Sequence, residues 1–170
     1  MRFRADTPDR LRLTLLSALV VLGFTTAQAD EAAIALGPGL LFSKHYYGAF
    51  LQYYHDAEVA RGRKGFFELT AGGWPGPADA TIIAASGGLR ETFGDHGYAR
   101  LSLGVGYLDH TTEHLGTHGQ GVIQLGVGRE FGGYNAGFCL VHVSNGDYVF
   151  HTGKPNDGEN FLTFQLGRPF

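Results

Sequence analysis

Apolar and polar residues alternate along most of this chain. In the segment 98–107, Ala99, Leu101, Leu103, Val105 and Tyr107 share one parity, and Arg100, Ser102, Gly104 and Gly106 the other. In 121–130, Ile123, Leu125 and Val127 oppose Gln124, Gly126, Gly128 and Glu130. In 66–72, Phe67, Leu69 and Ala71 oppose Glu68, Thr70 and Gly72. A period of two is that of a β-strand with one apolar and one polar face. The pattern predicts eight strands, at 32–39, 46–58, 64–74, 80–92, 98–109, 119–131, 134–145 and 160–170. Pro38 has no N–H to give a ladder, so the first strand is expected to end near it.

The connections differ in length. The segments 93–97 (FGDHG) and 132–133 (GG) read as tight turns, while 109–118 and 146–159 are long and polar. Short turns at one end and long loops at the other suit an all-β, eight-stranded antiparallel transmembrane β-barrel, with its apolar faces toward lipid. Eight strands also leave an interior that side chains just fill. A soluble sandwich or lipocalin-like barrel would carry its apolar faces inward, and alternation alone does not choose between the two.

Composition and the chain ends shift the balance toward the membrane. The chain holds 27 Gly, 13 Phe and 8 Tyr, a content that disfavours helices and suits closely packed strands. Arg2, Arg4, Arg10 and Arg12 precede the apolar run 13–24, and Ala27-Gln28-Ala29 follows it. A basic, then apolar, then small-residue order predicts a cleaved signal peptide over 1–29 and a barrel domain over 30–170. The apolar run is too short to cross a bilayer as a helix. The tail 160–170 alternates and ends on Phe170, which resembles the C-terminal strand of bacterial outer-membrane proteins. Trp74, Tyr46, Tyr47, Tyr53 and Tyr54 are expected as anchors at the membrane interfaces.

Charge excludes some classes of partner. Of 13 basic and 16 acidic residues, the first 29 positions hold four Arg and two Asp, so nine basic residues face fourteen acidic ones in the remainder. That surplus gives no reason to expect nucleic-acid binding. Cys139 is the only cysteine, so no intrachain disulfide can form. His110, His114 and His118 recur every four residues beside Asp109 and Glu113. On a helix that spacing could hold a metal, but in a Gly- and Thr-containing segment a solvated loop is the expected reading.

The candidate chemistry lies in 140–161, LVHVSNGDYVFHTGKPNDGENF. His142 and Ser144 are two residues apart, so they share a face with Phe138 and Leu140. An imidazole and a hydroxyl on an apolar face are costly unless used or paired. Together they are the minimum for an activated serine nucleophile. Taken alone, such a pair also fits two polar residues at headgroup level.

The run H-x-S-N, a polar loop and then P-N-D-G resembles the C-terminal signature of the PagL family of lipid A 3-O-deacylases. The resemblance implies a serine-dependent ester hydrolase of the cell outer membrane, acting on lipid A or lipopolysaccharide without cofactor or metal. It leaves a homodimer open, and a non-enzymatic structural or adhesive barrel is the rival. By the resemblance, His142 is the general base and Ser144 the nucleophile. Asn156 and the N–H of Gly146 form the oxyanion hole. The family's glycine falls one residue later, at Asp147 here, and the intervening loop is longer. The family's third member, a Glu four residues after the Asn, corresponds to Asn160, while Glu159 stands one residue earlier. Asn160 shares parity with outward Leu162, Phe164 and Leu166, so a regular strand brings Asn160 to His142. A bulge at Gly158 would instead swing Glu159 outward.

Overall fold

A computed structural model of the chain describes residues 31–40, 46–59, 63–76, 79–147, 151 and 153–170. The segment expected to be a signal peptide lies outside them. The eight strands are β1 (Glu31–Pro38), β2 (Tyr47–Val59), β3 (Arg63–Trp74), β4 (Ala80–Phe93), β5 (Gly97–Leu108), β6 (Gly119–Phe131), β7 (Tyr134–Ser144) and β8 (Glu159–Pro169). Every strand end falls within one residue of its expected position. All pairings are antiparallel between sequence neighbours, and β1 pairs with β8 to close the barrel. Closure leaves no unpaired edge in hydrocarbon. β1 ends at Pro38, as its missing N–H requires.

The two parities separate cleanly between the faces. Leu101, Leu103, Ile123, Leu125 and Phe164 are exposed on the outer wall. The interior carries the polar set. Glu68 accepts hydrogen bonds from Gln52, Thr70, Ser102 and Gln124 at 3.2, 2.9, 3.0 and 2.6 Å. Arg100 hydrogen-bonds Gln165, and its guanidinium lies 4.4 Å over the Tyr54 ring. Such a network is tolerable in a closed interior because nearly every member finds a partner. Inward glycines leave room for it: a Cβ on Gly126 would lie 2.8 Å from Arg100 Nε.

The aromatic anchors need correction. Tyr46, Tyr54 and Trp74 are buried inside the barrel, while Tyr47 lies on the outside. Trp74 has the parity of inward Glu68, Thr70 and Gly72, and strand geometry overrides the interfacial preference of its residue type. Tyr46, Phe50 and Trp74 pack around Phe161, with centroids 5.7, 5.3 and 5.1 Å from its ring. This aromatic plug fills the barrel behind the outer ends of β7 and β8.

Turns and loops segregate by end. Gly132 and Gly133, both at positive φ, form the β6–β7 turn. Proline 169 pairs with Glu31 at that same end. Loop 109–118 and residues 153–158 meet at the opposite end, where Leu115 bridges Asn156.

Candidate active site

β7 carries His142 and Ser144 on its outer face, half-buried. Below them, toward the middle of the wall, lie Leu140 and Phe138, paired with Leu162 and Phe164 of β8. On the other side, β6 sets Ile123 beside His142 and Gly121 beside Ser144. A Cβ added to Gly121 would find its nearest atom 3.5 Å away, at the Ser144 carbonyl oxygen, so the wall beside the serine is open.

The β7–β8 register runs unbroken to the top and pairs His142 with Asn160 and Val143 with Glu159. There is no bulge to turn Glu159 outward. Asn160 Oδ1 lies 2.8 Å from His142 Nδ1. An amide oxygen only accepts, so Nδ1 carries the proton and Nε2 keeps its lone pair. That is the tautomer a base needs toward a neighbouring hydroxyl. Gly158, at φ +72°, backs the ring: a Cβ there would lie 3.1 Å from His142 Cε1. Among the described residues, no hydrogen bond reaches the Ser144 hydroxyl.

Glu159 points the other way. It is buried in the barrel, and the Tyr46 hydroxyl donates to its Oε2. Leu40 N donates to Asn160 O at 2.7 Å, which ties the loop after β1 to the same residue pair.

The loop after β7 folds back over the site through Asn145, a buried residue to which the sequence alone gave no role. Its N–H donates to Asn156 Oδ1 at 2.9 Å, and its Nδ2 donates to Pro155 O at 2.7 Å. Its Oδ1 accepts the Asp147 N–H at 3.0 Å. With Asn156 Oδ1 so engaged, its amide Nδ2 is the group available for other acceptors. Gly146 takes the left-handed conformation, φ +66°, that turns the chain back.

A second loop braces the first. Gly116 N donates to Pro155 O at 2.9 Å, and Asp157 N donates to His114 O at 3.0 Å. His114 Nδ1 meets Asp157 Oδ2 at 2.9 Å, and Leu115 is fully buried beneath them. The three loop histidines do not converge. His110 lies with Asp109, His114 with Asp157, and His118 Nδ1 with Leu108 O. Among the described residues, no three His, Cys, Asp or Glu side chains are grouped to hold a metal.

The family described as "Lipid A 3-O-deacylase (PagL)" matches residues 42–169. The crystal structure of the outer membrane enzyme PagL superposes with a TM-score of 0.63 at 19% identity, covering 82% of this chain and 99% of the other. The outer membrane protein Ail of Yersinia pestis, in a phospholipid bilayer nanodisc, gives 0.51 at 11%, covering 83% and 99%. At such identities both likenesses concern the fold. No curated protein matches in sequence.

Proposed function

The chain belongs to the PagL family of lipid A 3-O-deacylases, β-barrels of the outer membrane, and we propose that it hydrolyses the 3-O-linked acyl ester of lipid A by a serine–histidine mechanism. The observation that carries this reading is the 2.8 Å contact between Asn160 Oδ1 and His142 Nδ1, beside Ser144 on the lipid-facing wall.

In this reading, His142 Nε2 takes the Ser144 proton as Oγ bonds to the acyl carbon. The carbonyl oxygen becomes an oxyanion. Asn156 Nδ2 and the Gly146 N–H receive it, at about 3 kcal/mol of transition-state stabilisation per donor. Gly146 is preferred to Asp147 because the Asp147 N–H is already bound by Asn145. Collapse of the intermediate breaks the ester bond, and His142 returns its proton to the sugar oxygen that leaves. A water, deprotonated by His142, then attacks the acyl-serine and releases the fatty acid. Asn160 orients the imidazole but carries no charge, so the imidazolium formed in each step lacks a carboxylate partner. The acyl chain would lie over Ile123, Leu140 and Leu162, where it need not leave the bilayer.

Residues 1–29 are proposed to be removed on export, which N-terminal sequencing of the protein isolated from outer membranes checks. The test of function is mass spectrometry of lipid A incubated with the purified, detergent-refolded protein. Loss of one 3-hydroxyacyl chain is expected with wild type and not with Ser144→Ala. Lipid A left intact by wild type, or equal cleavage by both proteins, would favour a non-enzymatic barrel.

A further inference from the structure

Tyr107, the penultimate residue of β5, stands on the outer wall at the loop end with more than half its surface exposed. Its ring stacks on His118, with centroids 5.3 Å apart and planes 12° from parallel. The stack is held rigidly. Leu108 N donates to His118 O at 2.8 Å, and His118 Nδ1 lies 2.9 Å from Leu108 O. A carbonyl oxygen only accepts, so Nδ1 carries a proton. The neutral ring therefore presents Nε2 as an acceptor.

The register places this pair beside the candidate site. Tyr107 pairs with Gly119, and Gly121, two residues along β6, pairs with Ser144. A Cβ on Gly119 would meet nothing within 4 Å. The wall between the aromatic pair and the serine is thus bare at both β6 positions. By strand geometry it runs about 7 Å along β6 and, over the two strand spacings from β5 to β7, about 10 Å across, which leaves room for a pyranose ring. The unit offers a flat apolar face, a hydrogen-bond acceptor at its edge, and room for a ring.

We propose that Tyr107 and His118 form a sugar-binding platform that holds the glucosamine headgroup of lipid A while its acyl ester lies at Ser144. This rests on the deacylase reading above and names the part of the substrate that the platform takes. A pyranose presents C–H groups on its faces and hydroxyls at its edge. The Tyr107 ring matches the first, and His118 Nε2 accepts from the second. The glycerol of a phospholipid has no rigid apolar face for Tyr107 to cover, so the platform discriminates between the two lipid classes of the membrane.

The test measures binding without turnover, on the full barrel carrying Ser144→Ala in detergent micelles, by native mass spectrometry. The probes are a diacylated glucosamine 1-phosphate and a phosphatidylglycerol with the same acyl chains. Tyr107→Leu keeps an apolar side chain on the wall but removes the ring. It is expected to weaken glycolipid binding by about tenfold, the loss of one stacking contact, and to leave phosphatidylglycerol unchanged. Tyr107→Phe keeps the ring and is expected to retain the glycolipid affinity. Unchanged glycolipid affinity in Tyr107→Leu, or an equal loss for both lipids, overturns the platform. Because this readout needs no hydrolysis, it separates failure of the platform from failure of the deacylase reading, which the lipid A mass spectra decide.

Discussion

Asn160 stands directly across the β7–β8 ladder from His142, its Oδ1 2.8 Å from the imidazole Nδ1, while Glu159 one residue earlier is buried inside the barrel. A single step along a strand separates a residue on the lipid side from one in the interior. Asn160→Ala is therefore expected to lower lipid A deacylation by about 10–100-fold, by freeing the ring, with the barrel intact. Asn160→Asp should retain activity and move the acid limb of the pH–rate profile upward, because a carboxylate would stabilise the imidazolium. Glu159→Gln should change heat stability, read by gel mobility of the barrel after graded heating, more than turnover. Full activity in Asn160→Ala would remove Asn160 from the mechanism.

Gly158 tests how closely the ring is held. It combines φ +72° with a Cβ position 3.1 Å from His142 Cε1. Gly158→Ala places a methyl against the imidazole and costs about 1–2 kcal/mol in the left-handed conformation. The expected result is a fall in kcat of roughly tenfold, equivalent to about 1.4 kcal/mol, at little change in KM. A change confined to KM would assign Gly158 to substrate binding.

The brace between the two long loops predicts coupling from a distance. Leu115 touches no reacting group in the proposed mechanism, yet it bridges Asn156 and is fully buried. Leu115→Ala should speed amide hydrogen exchange at 153–158 and lower kcat together, because Asn156 loses its support. Faster exchange with unchanged kcat would show that the oxyanion donor does not depend on the brace.

Trp74 gives an optical check on the fold. It is the single tryptophan of the chain and lies inside the barrel against Phe161. In vesicles made with brominated acyl chains, its fluorescence should be blue-shifted and largely unquenched. Strong quenching would place it on the lipid face.

Eight strands, the sets of residues that share a face and the separation of short turns from long loops were all legible in the chain's alternation. The reason is local: the two-residue period is a property of the extended backbone, so Leu101 and Leu103 had to share a side whatever they packed against. The same parity set Asn160 and His142 on one wall and Glu159 on the other. Trp74 was misread because residue type was weighed above parity, although its own strand already turned it inward. Contacts between distant segments were not legible in that alternation. Barrel closure brings Tyr46 to Glu159, 113 residues away, and the meeting of the two long loops pairs Leu115 with Asn156. Nothing in the spacing of 109–118 announces that it will brace 146–159. The first contact follows from β1 meeting β8, and the second from backbone donors and acceptors that carry no side-chain signature.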